Sequence, residues 1–526
     1  MLGSSLRSAA VTAATVIVSC LVFTPQLGLI ALMGALMPYW ENGRPLWARV
    51  RGSALVTAAL TSSMAIGVLV APYSWAIVPA SVLVIVVVSA LYYTFVLTPG
   101  PSPVMLFYAA VLGTFFGADQ HVGWRMVAVT AFAAGLASVL LILPLLFNPH
   151  GPGQRAVEAA RKAVDLYHQA VVGSAEQRLA RNAAYQVVNT AWLTLESAWP
   201  ARGPSHEKLA ADLAQITHSL DNTVASGSHL DSVGHPISPQ VSRSPTRPSW
   251  RFLVSHAMRF DSVAWFTTWR MGLAAGIAGY LGHAVGIGHP YWAILTATIV
   301  INQWRDRVAT TRRALNRAVG TLLGVVLVWA VSALNLSPWW TVAAVLVFMV
   351  GHYLAIPGNY AVALIFITPM ALLPVQASGG GGSVANLTYD RVLDTVVGAV
   401  TAVAVTWATS LFFPRRLVSS QSARSMATIE AIERHAQGGD QPALGCVPSH
   451  AELHYELIHY QSILERAVAD DPRLADLVEK ENRVADRGYI ALARASTPAP
   501  SDRPAKGCAD VLGDQQGILL PGKHPE

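Results

Sequence analysis

Long apolar segments that lack any charged residue dominate the chain. Asp, Glu, Lys and Arg are absent from 8–40, 52–118, 126–154, 271–304, 318–389 and 395–414. A helix on the surface of a soluble protein is apolar along one stripe only and carries charges every turn or two. Segments of this length without charge require lipid or a bundle interior around them. The pattern predicts an all-α, polytopic membrane protein.

Breaks at proline, glycine and arginine divide these segments into candidate membrane spans, six in each half of the chain. The first half contains spans at 8–24, 27–40, 52–70, 74–97, 103–118 and 124–147. The second half contains spans at 267–286, 290–303, 317–334, 338–355, 358–376 and 388–413. Several are shorter than the ~20 residues of a complete span, which predicts tilted or partial helices.

The two halves form an internal repeat, because one constant shift keeps their punctuating residues in register. A shift of 266 residues superposes Arg51 on Arg317, Pro72 on Pro338, Pro103 on Pro369, Gly113 on Gly379, Arg125 on Arg391 and Phe147 on Phe413. An even number of spans gives both halves the same orientation. The predicted repeat is therefore parallel, with its axis along the membrane normal.

Basic residues concentrate in alternate loops, which fixes the predicted orientation. If the N-terminus is cytosolic, the loops on that side contain Arg44, Arg49, Arg51, Arg155, Arg161, Lys162, Arg305, Arg307, Arg312, Arg313, Arg317, Arg415 and Arg416. The opposite loops contain almost no basic charge. This positive-inside pattern predicts a multi-pass protein of the bacterial plasma (inner) membrane with both termini cytosolic.

The N-terminus also allows a lipoprotein signal that ends at Cys20. The apolar run that continues to Trp40 argues against that alternative.

Mixed-charge amphipathic sequence separates and follows the two membrane halves. We predict a first membrane half at 1–148, a cytosolic helical domain at 149–262, a second half at 263–416 and C-terminal cytosolic helices at 417–496. Proline- and serine-rich residues 226–250 are predicted to be a flexible linker, and the tail 497–526 is predicted to be disordered.

Composition excludes several classes of function. Only 13% of residues are charged, and the net charge of +6 comes from arginines at span ends, so nucleic acid is not a predicted partner. Phosphate-binding, dinucleotide-binding, zinc-protease and hydrolase motifs are absent from the sequence, and the three cysteines lack metal-ligand spacing. We expect no enzyme activity, no cofactor and no metal. The predicted partners are the lipid bilayer, a small organic anion and further copies of the chain.

Three motifs in the second half resemble the fusaric acid resistance and aromatic acid exporter family, to which aluminium-activated malate transporters are related. They are HPYWA at 289–293, RAVGTLLG at 317–324 and YDRVLDTVVG at 389–398. The first half matches less well, since Pro25 and Gln26 replace the Tyr291-Trp292 pair. The resemblance implies proton-driven efflux of aromatic or other organic carboxylic acids.

Arginines near the span ends are the candidate anion-binding residues. Arg317, Arg51, Arg391 and Arg125 are repeat-related pairs, and a guanidinium binds a carboxylate through two parallel hydrogen bonds. The structural alternative is that they fix orientation by reaching the membrane surface. Tyr291 and Trp292 are candidates for stacking on an aromatic acid, although aromatic residues also anchor spans at the interface.

Asp394 and Asp390 are the candidate proton-coupling residues. Asp394 lies several residues inside a predicted span, and an ionisable group there must face protein or water. Arg391 is three residues earlier, so a local ion pair that holds the helix end is the structural alternative. Ala128 occupies the equivalent position in the first half, so a working carboxylate would make the halves unequal.

Three functions remain open from the sequence. The first is a secondary exporter of small organic acids, in which arginines capture the anion and the halves rock about a shared cavity. The second is a passive anion channel, which needs arginine rings but no proton-coupling carboxylate. The third is a membrane scaffold without transport activity.

Overall fold

The computed structural model describes residues 2–40, 43–95, 103–198, 203–226, 247–286, 289–302, 306–356, 358–378, 383–410, 414–436 and 449–495. Their regular secondary structure is helical throughout. Most of the predicted linker 226–250 and the entire predicted tail 497–526 lie outside the described residues.

The helices follow one another in four groups along the chain. The first membrane half contains α1 (Leu2–Val22), α2 (Pro25–Ile30), α3 (Leu32–Ala35), α4 (Leu46–Val70), α5 (Ser74–Phe95), α6 (Val104–Phe116) and α7 (Gln120–Phe147). It is followed by α8 (Gly151–Gln169), α9 (Ala175–Glu196), α10 (Pro204–Ser226) and α11 (Trp250–Ala257). The second half contains α12 (Val263–Ala284), α13 (Tyr291–Ile301), α14 (Arg307–Ala333), α15 (Pro338–Ala355), α16 (Tyr360–Ala377) and α17 (Val384–Ser410). The last group is α18 (Pro414–Ala436), α19 (His450–Asp470) and α20 (Ala475–Ala495).

These helices form two compact units. The membrane unit comprises Met1–Asn42, Ala48–Phe147 and Ala264–Leu411, so both membrane halves belong to it. The second unit, called the helical unit here, comprises Gly43–Trp47, Asn148–Val263 and Phe412–Glu526. The two regions predicted as separate cytosolic domains thus lie in one unit, and residues of both contribute to one apolar core around Tyr185, Leu213 and Leu457.

Eight described helices are long and apolar enough to cross a membrane, which makes the chain a multi-pass membrane protein. They are α1, α4, α5, α7, α14, α15, α16 and α17. The remaining four predicted spans are helical but do not reach this standard: 27–40 is broken into α2, α3 and a 3-10 turn, α6 and α13 are short, and α12 is not among the eight. The structure therefore does not bear out twelve complete spans.

The two short apolar helices are central to the membrane unit. Every residue of the 11-residue α13 is buried, and so is nearly all of α6. The two helices also contact each other. Each begins after a proline, Pro103 or Pro290, whose fixed φ suits a helix start. A helix that is apolar on all sides and wrapped by other helices needs no full span length.

Glycines allow the closest helix contacts in the membrane unit, as the GxxxG pattern at Gly320 and Gly324 predicts. In the second half, these two residues lie against Leu364 and Thr368 of α16. In the first half, Gly67 of α4 lies against the backbone of α6. In each half, the third and fifth predicted spans therefore pack closely against each other at glycine residues.

The halves contact each other through reciprocal helix pairs. Gly272 of α12 lies against Val86 of α5, and the hydroxyls of Thr12 in α1 and Tyr353 in α15 share a hydrogen bond of 3.0 Å. Under the 266-residue shift α1 corresponds to α12 and α5 to α15, so each half offers the same helices to the other. This reciprocity is what a two-fold relation requires; the parallel repeat itself stays a prediction.

Candidate functional site

A cluster of buried polar side chains lies where α6, α13, α14 and α17 meet in the membrane unit. Arg317 and Arg391 are each 4% exposed, and Asp394 is fully buried. Trp292 of α13 and Tyr108 of α6 are buried beside them. The cluster brings together residues from both halves of the chain, which the sequence separates by almost three hundred positions.

Arg391 lies over an aromatic ring and not against a carboxylate. Its guanidinium carbon is 4.6 Å from the centroid of the Trp292 ring, a cation–π contact. The Trp292 ring in turn meets Tyr108 edge to face, with centroids 5.6 Å apart. Two rings on the two central helices therefore determine where the Arg391 charge lies.

The charged groups of the cluster have few hydrogen bonds. Both carboxylate oxygens of Asp394, two nitrogens of Arg391 and the Nε of Arg317 have no hydrogen-bond partner among the described residues. The charges of Arg391 and Asp394 interact, but no hydrogen bond joins them. The backbone of Ala293 is near Asp394 without meeting hydrogen-bond geometry. A buried polar atom without a partner costs about 1–3 kcal/mol, so this arrangement is not explained by stability alone.

Arg317 and Arg391 approach the cluster from opposite directions along two antiparallel helices. The indole of Trp329 in α14 donates to Thr388 in α17, and the indole of Trp407 in α17 donates to Thr311 in α14, each over 3.2 Å. In this antiparallel alignment, the backbone of Arg391 lies beside a residue of α14 that is about ten residues, or ~15 Å, beyond Arg317. Their side chains nevertheless interact with each other and with Tyr108. Both cations thus act electrostatically on Tyr108.

Arginine–aromatic pairs also precede the cluster along α14. Arg307 lies over Trp407 at 5.2 Å, and Arg313 lies over Tyr360 at 5.2 Å. Both arginines are half-buried, whereas Arg317, further along the same helix, is buried. The arginines of α14 therefore carry positive charge from the start of the helix into the bundle. They are more buried at Arg317 than at Arg307 and Arg313.

His289 and Asp390 form a half-buried pair at the other end of the cluster. The Nδ1 of His289 is 3.1 Å from Oδ2 of Asp390, and the two side chains are 24% and 23% exposed. Tyr291, also predicted as a site residue, is buried and its ring centroid is 5.7 Å from that of His289. Phe115 of α6 contacts the imidazole from the other half.

Two predicted residues lie outside the cluster. Arg51 and Arg125 are exposed, although the repeat relates them to Arg317 and Arg391. The buried arginine of that region is Arg49, which donates from Nη1 to the carbonyl of Leu141 over 3.0 Å. Arg49 thus joins α4 to α7 through a side-chain hydrogen bond.

Sequence reasoning missed two members of the site. Tyr108 is a polar aromatic residue inside a helix that is otherwise almost wholly apolar, a signal that was present in the sequence. His289 belongs to the HPYWA motif but lies two residues before the aromatic pair that drew attention. A further prediction, Arg305, lies outside the described residues.

Comparisons with known proteins agree with the membrane assignment. The uncharacterized membrane protein YvaC of Bacillus subtilis (strain 168) is 21% identical over 515 residues, which cover 87% of this chain and 79% of that protein. The uncharacterized protein YhfK of Escherichia coli (strain K12) is 25% identical over 133 residues, which cover 25% of this chain and 18% of that protein. No solved structure matches the chain.

One family matches part of the second membrane half. The matching segment, residues 273–405, begins in α12 and ends in α17. It contains every described member of the cluster except Tyr108, and it confirms the resemblance inferred from the three motifs. Residues 273–405 are therefore similar to the fusaric acid resistance protein-like family.

Proposed function

We propose that the protein exports small organic carboxylic acids, with Arg391 as the residue that binds the carboxylate. The observation that carries this proposal is the buried Arg391 guanidinium, which lies on Trp292 and has two nitrogens without an acceptor in the part of the chain that the structure describes. A carboxylate would accept hydrogen bonds from such a group and remove the cost of leaving it unpaired. Trp292 and Tyr108 then offer apolar ring surface to the organic part of the anion.

The arginines of α14 supply an approach to this site. Arg307, Arg313 and Arg317 repeat the positive charge at successive levels of the helix, and the first two lie on aromatic rings. Several weak sites in series let an anion enter without being held too tightly to leave. With the predicted orientation, this line leads from the cytosol toward Arg391, which is the direction of export.

Asp394 gives the proposal its coupling to protons. Its carboxylate is one helical turn from Arg391 and has no hydrogen-bonded partner among the described residues. When Asp394 is ionised, it competes with the substrate carboxylate for the Arg391 charge. When it is protonated, Arg391 is left to the substrate. Proton binding at Asp394 and anion binding at Arg391 would thus be linked at one cation.

A comparison of exported metabolites tests this function directly. Culture media from cells with the protein, without it and with Arg391→Gln are compared by untargeted mass spectrometry. We expect one or more organic acids to decrease in the medium after deletion, and to decrease equally with Arg391→Gln. Arg125→Gln is the matched control, since the repeat relates Arg125 to Arg391 but the structure places it on the exposed surface. Unchanged media after deletion would contradict export.

A further inference from the structure

The His289–Asp390 pair is half-buried and lies nearer the start of α17 than the buried carboxylate of Asp394. Asp390 and Asp394 are four residues apart on α17, so they share one face of the helix with Cβ atoms ~6 Å apart. Exposure decreases along this face from the half-buried pair, at 24% and 23%, to the fully buried Asp394. Three titratable groups therefore line up in order of depth.

The imidazole is held in a defined position. Its Nδ1 faces Asp390 Oδ2 at 3.1 Å, and its ring contacts Phe115 and Tyr291 at centroid distances of 5.4 and 5.7 Å. One contact comes from each membrane half. A histidine fixed in this way can accept a proton at Nε2 and donate one from Nδ1, which is the chemistry of a proton shuttle.

We propose that His289 and Asp390 are the proton port of the transporter and deliver protons from solvent to Asp394. This deepens the proposed function and rests on its proton coupling. A proton from water binds His289 Nε2, and the proton on Nδ1 passes to Asp390 Oδ2, which returns the imidazole to its neutral form. Asp390 then passes its proton to Asp394, so the net change is one proton moved from solvent to the buried carboxylate.

The surrounding charges favour this direction of delivery. The other charged or titratable groups near the path are Arg391 on α17, Arg317 on α14, Tyr108 on α6 and Tyr291 on α13. Arg317 lies further from the start of α17 than Asp394 does, because α14 and α17 are antiparallel, and its charge opposes the passage of a cationic proton carrier deeper into the bundle. Arg391 follows Asp390 on α17, and its guanidinium lies on Trp292. The proton therefore stops at Asp394, one helical turn from the cation that binds the substrate.

The test follows protonation of Asp394 without a substrate. The full-length protein in lipid bilayers is subjected to a rapid drop in pH while the carboxylic-acid C=O stretch is recorded by infrared spectroscopy. The band that Asp394→Asn removes belongs to Asp394. We expect His289→Gln and Asp390→Asn to slow the rise of this band by about tenfold or more. His283→Gln is the matched control, since His283 is an exposed histidine on the neighbouring α12.

The outcomes separate the port from the function on which it rests. If the Asp394 band rises equally fast in His289→Gln and in the unmodified protein, the port is wrong and proton coupling through Asp394 stands. If the unmodified protein shows no Asp394 band at any pH, proton coupling itself is wrong. Thermal unfolding of each variant distinguishes slowed proton transfer from loss of structure. If His289→Gln remains folded and its Asp394 band rises slowly, the result supports a role of His289 in proton delivery.

Discussion

Arg391 and Asp394 lie one helical turn apart on α17, yet no hydrogen bond joins them. The structural alternative, a local ion pair that holds the helix end, does not account for this arrangement, because Arg391 lies on Trp292 instead. A cation that is near a carboxylate but not hydrogen-bonded to it can interact in turn with that carboxylate and with a substrate anion. The two residues should then contribute differently to transport.

Substitution of the two residues should give two different phenotypes. Asp394→Asn mimics the protonated carboxylate, so we expect it to keep substrate binding and to abolish transport driven by a proton gradient. Arg391→Gln removes the partner of the anion, so we expect it to weaken binding itself. The measurement is flux of the acid identified in the culture medium, in proteoliposomes with an imposed pH gradient. In a passive channel, both variants would instead lower flux alike and leave its dependence on the gradient unchanged.

The sequence located the second-half residues of the site because charge inside an apolar span is conspicuous. Arg317, Arg391 and Asp394 stand out for that reason, and the structure gathers them in one cluster. The internal repeat was a poorer guide, since it also selected Arg51 and Arg125, which are exposed. A repeat preserves helix placement more strongly than it preserves the environment of a particular side chain. Tyr108 could not be paired with Trp292 without knowing that α6 packs on α13.

At the scale of single helices, burial on all sides explains where the sequence-based spans fail. The length of a span is set by the bilayer only if the helix faces lipid. Because α6 and α13 are enclosed by other helices, they can be short while remaining wholly apolar. Apolar content alone does not distinguish an enclosed helix from a lipid-facing one, so the twelve candidate spans include partial helices such as α6 and α13.

The packing of α13 against α17 depends on Gly398. A Cβ at this position would lie 2.5 Å from the carbonyl oxygen of Ala293, so Gly398→Ala must force the two helices apart. We expect a loss of about 1–3 kcal/mol in stability together with loss of anion binding, since the same helices carry Trp292 and Arg391. Gly135→Ala in α7 is the control, because a Cβ there meets nothing within 4 Å. Equal thermal stability of the two variants would contradict this packing.

In the helical unit, the buried His454 of α19 makes stability depend on pH. Burial lowers the pKa of His454 from its ordinary value of 6.5 to about 4. Between pH 6.5 and about 4, the unfolded chain therefore binds a proton at His454 that the folded chain does not bind. Its contribution to stability is complete above pH 6.5 and is lost as the pH falls toward 4. The loss amounts to at most about 3 kcal/mol.

Hydrogen exchange of the intact protein measures this effect. We expect peptides of α19 to lose protection as the pH falls from 6.5 toward 4, after correction for intrinsic exchange rates. His454→Phe keeps an aromatic ring without a titrating group and should reduce that loss. His168→Phe changes an exposed histidine of the same unit and should leave it unchanged. An unaltered pH dependence in His454→Phe would show that other groups are responsible.

At the scale of the whole molecule, export requires a defined orientation of the membrane unit. The arginines at the start of α14 can collect an anion from the cytosol only if that end faces the cytosol, and the His289–Asp390 pair can take protons from outside only if the start of α17 faces outward. Both requirements are met by the same orientation, which the basic residues of the other loops also predict. A single topology measurement therefore bears on the anion path and on the proton port together.

Cysteine labelling from outside the cell is the measurement. In a chain whose native cysteines are replaced, Ser383→Cys at the start of α17 should react with a membrane-impermeant thiol reagent, since Ser383 is exposed. Ser174→Cys and Ser420→Cys should react only after the cells are permeabilised, which shows that these sites are shielded by the membrane and not by the fold. Labelling of Ser174→Cys in intact cells would place the helical unit outside. The line of arginines on α14 would then open away from the cytosol, and export along it would be excluded even if the cluster still binds organic anions.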